Sequence, residues 1–153
     1  MRSPRPLEIG IAGAGSSGLF LALLLQKQGH IVRLFERASQ LRCDGCGLLV
    51  IPQGLEAISA FGDQSLLSQL LDSGMEVSRY VIRNLRGVVI NSSPAHVMPG
   101  EYPALLIHRK AIMDALISRL DPDSVMVGSH LIGWLNCGEG IKALLSNGET
   151  WHG

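Results

Sequence analysis

The sequence predicts an α/β fold in which a parallel β-α-β unit is followed by further β structure, and three observations carry this prediction. An apolar run at residues 7–12 leads into the segment 13–18, which reads Gly-Ala-Gly-Ser-Ser-Gly. Leucines then recur at helical spacing, as expected of a helix that begins near Ser16. A second apolar run at residues 31–35 completes the unit. Strand, glycine turn, helix and strand in this order predict a Rossmann-like unit at the start of the chain.

The glycines of this turn have the spacing GxGxxG, and each has a separate physical role. We expect Gly13 to allow a tight turn, Gly15 to let the backbone approach a phosphate, and Gly18 to let the helix pack closely. A helix beginning at Ser16 would turn its unpaired N–H groups and its positive dipole end toward an anion. The motif therefore predicts dinucleotide binding. The alternative is a small-residue turn in an ordinary β-α-β unit that binds nothing.

Glu36 directly follows the second apolar run. It lies about 20 residues beyond the first glycine, where dinucleotide-binding proteins place the carboxylate that accepts hydrogen bonds from a ribose. A carboxylate at this point repels a 2′-phosphate, so NADP is not expected in the same pocket.

The remaining sequence predicts alternating helices and strands, with turns marked by glycine and proline. The predicted elements are a strand at 48–51, helices after Pro52 and after Gly62, two strands joined near 84–87, a strand at 104–107, a helix with apolar positions 112–120 that Asp121-Pro122 stops, and strands at 125–127, 131–136 and 141–145, the last followed by a hairpin turn at Asn147-Gly148. The chain ends in the outgoing strand of that hairpin, whose open edge needs a partner. We therefore expect a fragment or a truncated product.

Composition argues against several classes of function. Thirteen Lys and Arg balance thirteen Asp and Glu, so no excess positive charge favours binding to nucleic acid. The apolar stretch 9–25 is interrupted by glycines and serines, which argues against a membrane span or a signal peptide. These features predict a cytoplasmic protein.

Three cysteines do not make a disulfide framework, although Cys43 and Cys46 form a CxxC. Its two interpretations are a zinc or redox site and incidental cysteines in a loop, and the absence of a second ligand pair favours the loop. We assign no metal ligand and no catalytic residue.

Three blocks resemble the N-terminal part of the FAD-dependent aromatic hydroxylases, the p-hydroxybenzoate hydroxylase-like flavoprotein monooxygenases. The first block is the glycine turn through Glu36-Arg37, and the second is the glycine-rich loop, strand and helix start at 45–55. The third is the segment 106–116, with an arginine, Arg109, at a helix start. The resemblance implies an FAD-binding, Rossmann-like domain over residues 1–153, within which 75–107 would begin the substrate-side β-sheet.

The resemblance also implies roles for individual residues. Gly13, Gly15, Ser16 and Gly18 would cradle the pyrophosphate of FAD, Glu36 would bind the adenosine ribose, Arg37 would flank the adenine, Arg109 would lie near the phosphates and ribityl chain, and Leu131 would offer backbone contacts to the adenine. The alternative for Arg109 is an exposed arginine at a helix start. The partners implied are a small organic, often aromatic substrate and NAD(P)H, and the oligomeric state is not predicted.

The chain lacks the family's later motifs that contact the flavin, and most of its substrate-binding sheet. Whether it is an enzyme by itself is therefore left open. Two alternatives to the oxygenase interpretation remain. The first is a non-catalytic truncated fragment. The second is a small NAD-binding module, which would leave the second and third blocks without an explanation.

Overall fold

The computed structural model describes residues 5–41, 45–95 and 102–153. The chain divides into unit 1, residues 1–43 and 116–153, and unit 2, residues 44–115. The helices α1–α4 are Ser16–Lys27, Pro52–Phe61, Gln64–Ser73 and Arg109–Ile117. The strands β1–β11 are Glu8–Ala12, Ile31–Phe35, Gly47–Val50, Gly74–Glu76, Arg79–Arg83, Val89–Pro94, Leu105–His108, Val125–Met126, Leu131–Asn136, Ile141–Leu145 and Thr150–His152.

A parallel sheet with the order β1-β2-β8 forms the base of unit 1. Glu8 lies opposite Ile31 and Ala12 opposite Phe35, so β1 and β2 end at the same edge. Helix α1 connects the two strands, and its bounds agree with the helix expected from Ser16 onward. The predicted β-α-β unit is confirmed, and its strand ends form the edge at which α/β proteins place ligands.

The core of unit 1 lies between α1 and this sheet. The helix buries Leu19, Ala22 and Leu23. Strand β2 buries Val32 and Leu34, and Leu34 is 0% exposed. Leucines on one side of α1 thus pack on a strand with neighbours on both sides, which explains why both elements were recognisable from apolar spacing.

Strands β9, β10 and β11 form an antiparallel sheet in unit 1, with β10 in the centre. The turn at Asn147-Gly148 joins β10 to β11, as expected from the sequence. Trp151 of β11 packs edge-on against Phe35 of β2, with ring centroids 5.6 Å apart and an interplanar angle of 67°. This aromatic contact joins the two sheets of the unit.

Unit 2 contains an antiparallel sheet with the order β3-β7-β4. Leu55 of α2, Leu67 of α3 and Leu105 of β7 form its buried cluster. Pro52 occupies the first turn of α2, and Asp63 caps α3 by accepting the Leu66 N–H at 3.0 Å. The helices expected after Pro52 and Gly62 are therefore confirmed.

The hairpin of β5 and β6 also belongs to unit 2 and pairs Arg79 with Pro94 and Ile82 with Asn91. Asn84 closes its turn, because its side-chain oxygen accepts the Arg86 N–H at 2.9 Å and a second backbone N–H. Both predicted strands are present. Two further expectations stay predictions. The first is that the range 75–107 begins a substrate-side sheet, and the second is that residues 1–153 form a single FAD-binding domain.

Helix α4 ends at Ile117, before the predicted stop at Asp121-Pro122. The Arg119 and Leu120 N–H groups bond to carbonyls three residues back, which tightens the chain into a turn. Asp121 then caps the 3₁₀ turn Pro122–Ser124. In the part of the chain that the structure describes, no helix has both the length and the apolar character needed to cross a membrane.

Candidate nucleotide site

A cavity of about 320 Å³ lies at the edge of unit 1 where β1 and β2 end. It is lined by Ala12, Gly13, Phe35, Glu36, Arg37, His130 and Leu131. Four of these residues, Gly13, Glu36, Arg37 and Leu131, were predicted from the sequence to bind a cofactor. The fold therefore brings together residues from three separate parts of the chain at the edge expected for a ligand.

The glycine turn is built by close backbone contact. Gly13 has φ +97°, a left-handed conformation that side chains disfavour, and its N–H donates to the Phe35 carbonyl at 2.8 Å. A Cβ on Gly18 would lie 2.1 Å from the Gly13 carbonyl oxygen. Glycine is thus required at both positions by the protein itself, and Gly18 lets α1 pack against the turn.

Gly15 differs from its two neighbouring glycines. Its φ of −75° and ψ of 177° suit any residue, and a Cβ there would meet nothing within 4 Å. Nothing in the described protein needs glycine at this point, whereas a ligand that approaches the backbone would. Gly15 is also the N-cap of α1 and supplies no side-chain hydrogen bond, so the first N–H groups of the helix, from Ser16 onward, receive no cap from the N-cap residue.

The Glu36 carboxylate anchors the turn. One oxygen accepts the Ala14 N–H at 3.0 Å and the other accepts the Ala38 N–H at 2.9 Å. These hydrogen bonds, the one from Ala38 first, hold the pKa of Glu36 below its ordinary value. The group is therefore an anion at neutral pH, and each oxygen keeps lone-pair capacity for a further donor.

Backbone hydrogen bonds hold the connection between β8 and β9 beside Glu36. The Gly128 N–H donates to the Ala38 carbonyl and the Ser129 N–H to the Glu36 carbonyl, both at 2.8 Å. These bonds place His130 and Leu131 at the cavity although about a hundred residues separate them from the end of β2.

Leu131 turns its backbone away from the rest of its sheet. It lies opposite Leu145, whose N–H bonds to Glu149 and whose carbonyl accepts from Gly148. The neighbouring His130 carbonyl accepts the Ser146 N–H at 2.8 Å. Because ladder hydrogen bonds alternate along an antiparallel pair, the Leu131 N–H and carbonyl lie on the open side of the edge strand β9.

Arg109 lies in unit 2, as the first residue of α4. Its N–H donates to the Cys46 carbonyl at 3.2 Å, and its Cδ would lie 3.2 Å from a Cβ on Gly45. Pairing of β3 with β7 sets Gly47 opposite His108, so the second and third blocks of the resemblance meet in one ladder. Because the cavity belongs to unit 1, a role for Arg109 beside the phosphates stays a prediction.

Three lining residues were not predicted from the sequence. Ala12 and Phe35 are the last residues of β1 and β2, and the rule that ligands bind at carboxyl ends of parallel strands could have indicated them. His130 carried no comparable signal.

The CxxC interpretation is not tested, because Cys43 lies outside the described residues, while Cys46 has an exposed thiol. Among the described residues no group of three His, Cys, Asp or Glu side chains is placed to hold a metal ion.

The chain is similar to known proteins over nearly its whole length. No family model matches the chain. The chain is 28% identical to aurachin C monooxygenase/isomerase of Stigmatella aurantiaca, over 96% of this chain and 38% of that protein. It is 31% identical to salicylate hydroxylase of Pseudomonas putida, over 95% of this chain and 34% of that protein. The crystal structure of Klebsiella pneumoniae HpxO with FAD and uric acid superposes with a TM-score of 0.77 at 16% identity, over 99% of this chain and 38% of that one.

These matches confirm the resemblance to an N-terminal part of FAD-dependent monooxygenases of the aromatic-hydroxylase type. They also confirm the mixed α/β fold. The chain spans little more than a third of the length of the relatives it matches.

Proposed function

We propose that this chain binds the ADP portion of FAD in the cavity of unit 1, as part of an FAD-dependent monooxygenase. The observation that carries the proposal is the convergence of Gly13 of the glycine turn, Glu36 and Leu131 on one cavity at the carboxyl ends of β1 and β2. Such an edge, next to a helix N-terminus, suits a nucleotide with an anionic pyrophosphate.

The pyrophosphate would be held by the glycine turn and the start of α1. Gly13 shapes the turn, Gly18 lets the helix pack against it, and Gly15 leaves open space where a side chain would otherwise project. The first N–H groups of α1, from Ser16 onward, receive no side-chain cap from Gly15 and suit phosphate oxygens. The fit of the residues to the group rests on this open space.

Adenosine would be bound by the opposite part of the cavity. Glu36, ionised and held by two backbone N–H groups, would accept hydrogen bonds from the ribose hydroxyls. Arg37 would flank the adenine, and the outward backbone N–H and carbonyl of Leu131 would contact the edge of the base. The charge of Glu36 would exclude a 2′-phosphate from the same place.

Arg109 would bind the phosphates and ribityl chain of FAD, as the resemblance implies. Its support is local: the ladder between β3 and β7 fixes the arginine at a helix start, against the glycine-rich loop at Gly45. A guanidinium on such a fixed backbone is suited to phosphate oxygens.

When bound, FAD would supply the redox chemistry that transfers one oxygen atom to a small organic, often aromatic substrate, with NAD(P)H as the electron donor. The residues of this chain would bind and orient the adenosine and pyrophosphate, and none of them is proposed as an acid or base. We place the protein in the cytoplasm. The relatives named for salicylate hydroxylation and for aurachin C support a ring-containing substrate for the whole protein.

The test is a titration of the purified chain with FAD, followed by flavin fluorescence and the visible spectrum, with NAD as the control ligand and ADP as the competitor. We expect saturable FAD binding that ADP displaces. A folded chain that binds NAD and not FAD would instead be an NAD-binding module. A folded chain that binds neither would contradict the proposal and favour the non-catalytic fragment.

A further inference from the structure

His130 lines the cavity and has no role in the site described above. Its backbone is already committed, since its N–H donates to the Ser146 side-chain oxygen at 3.3 Å and its carbonyl accepts the Ser146 N–H at 2.8 Å. The residue is exposed, and its imidazole has no hydrogen-bond partner in the part of the chain that the structure describes. The ring is therefore what His130 offers to a ligand in the cavity.

The segment that carries His130 is held in place before any ligand arrives. The Gly128 and Ser129 N–H groups bond to carbonyls of the segment 36–38, and Ser146 holds His130 from the other side. The ordering cost of binding at His130 is therefore confined to the rotation of the ring itself, because its backbone is already fixed.

We propose that the imidazole of His130 stacks on the adenine base of the bound nucleotide, an inference that rests on the proposed function. Leu131, the next residue, turns its backbone N–H and carbonyl outward at the same cavity. A flat base needs contacts of two kinds, with its edge and with its face. Leu131 has backbone groups for the edge, and His130 has an aromatic ring for the face. One short segment thus recognises the base, while the glycine turn and Glu36 bind the rest of the adenosine diphosphate.

The stacking role predicts a preference among bases. A purine offers a larger face than a pyrimidine, so the ring contributes more to the binding of ADP than of UDP. Glu36 and the glycine turn contact groups that both nucleotides share. Loss of the His130 ring should therefore lower the ratio of the ADP affinity to the UDP affinity. General damage to the site would weaken the binding of both nucleotides by the same factor.

The experiment compares the parent chain with His130→Ala, His130→Phe and the control His152→Ala, which replaces an exposed histidine on β11 outside the cavity lining. Titrations use FAD, ADP and UDP, and far-UV circular dichroism checks that each variant is folded. Since the loss of one base–aromatic stack typically weakens binding by about tenfold, or about 1.4 kcal/mol, we expect His130→Ala to weaken FAD and ADP about tenfold. His130→Phe and His152→Ala should bind like the parent.

The outcomes separate this inference from the proposed function. A parent chain that binds neither FAD nor ADP overturns both. A parent that binds FAD while His130→Ala binds it equally well overturns the role of His130 alone. Equal losses for ADP and UDP in His130→Ala, or a His130→Phe variant as weak as His130→Ala, also overturn the stacking contact and leave the proposed function standing.

Discussion

Two pairs of adjacent strands, β1 with β2 and β5 with β6, were expected from similar apolar runs, yet β2 is largely buried and the hairpin of β5 and β6 is mostly exposed. In β2, Leu34 is 0% exposed, whereas in the hairpin Ile82 is 56% and Ile90 is 67% exposed. Strand β2 has a strand on each side and α1 close by, while β5 and β6 pair only with each other in the residues that the structure describes. An apolar run thus predicts a strand, but a buried strand also needs neighbouring elements.

The difference matters for binding. A cavity that orients a ligand needs walls that do not move, and β1 and the largely buried β2 end at the glycine turn and Glu36. The exposed hairpin has no comparable support within the described chain. We therefore expect substitutions in the first pair to affect stability or nucleotide binding, and substitutions in the second to affect neither.

The largest expected effect is the loss of binding in Gly15→Val. Because the backbone at Gly15 suits any residue and a Cβ there meets no protein atom within 4 Å, the variant should fold normally. Its side chain would occupy the place proposed for the pyrophosphate, so FAD binding should be abolished. Flavin titration measures FAD binding, and circular dichroism checks that the variant is folded. The control is Gly133→Ala on β9, where a Cβ would make an ordinary 3.7 Å contact. Parent-like FAD binding by Gly15→Val would show that the turn is not the phosphate site.

The next prediction compares the stability of variants in the two strand pairs directly. Leu34→Ala should lower the free energy of unfolding by about 2–5 kcal/mol, because it leaves a cavity in a closely packed core. Ile82→Ala should change it by about 0.5 kcal/mol or less, since its side chain is mostly in water already. Urea denaturation of both variants gives the comparison. Equal losses of unfolding free energy in the two variants would mean that the side chain of Ile82 is buried in solution.

Glu36→Gln should weaken FAD binding by about 1.5–3 kcal/mol, the contribution of hydrogen bonds to a charged group. The amide also has to turn its NH₂ group toward either the Ala14 or the Ala38 N–H, which loses one anchor of the turn. Calorimetric titration measures the change, with the exposed Glu139→Gln as the control. An unchanged affinity would place the ribose elsewhere.

The smallest effect is a pH dependence at the same residue. The pKa of Glu36 is lowered in the folded chain, so its carboxylate stabilises the fold fully above the ordinary pKa of a glutamate, about 4.3. That stabilisation is lost as the pH falls through the lower folded pKa. We expect the difference in unfolding free energy between the parent and Glu36→Gln to be constant from pH 8 to about 5 and to shrink below about 4. A difference that grows toward acid pH would mean that the pKa of Glu36 is raised, and not lowered, in the folded chain.

Much of the fold followed from local patterns. Apolar spacing and the glycine signals correctly predicted α1 from Ser16, β2 at 31–35 and the hairpin at Asn147-Gly148. The end of α4 was placed too far along the chain, because Leu120 fits the apolar face of a helix but lies in a turn. Capping and turn hydrogen bonds decide such an end, and apolar spacing does not report them.

The sequence by itself determined the elements of the candidate nucleotide site: a glycine turn, a helix that begins just after it, and a carboxylate that follows the next strand. These are short-range features, because backbone conformation and side-chain spacing act over a few residues. Only the tertiary structure decided which distant residues complete the site. Pairing of β8 with β2 brings Gly128 and Ser129 to the segment 36–38, and the ladder between β9 and β10 turns the Leu131 backbone outward. His130 reaches the cavity through these long-range contacts, because strand pairing and register depend on the whole fold and leave no signal in the residues near it.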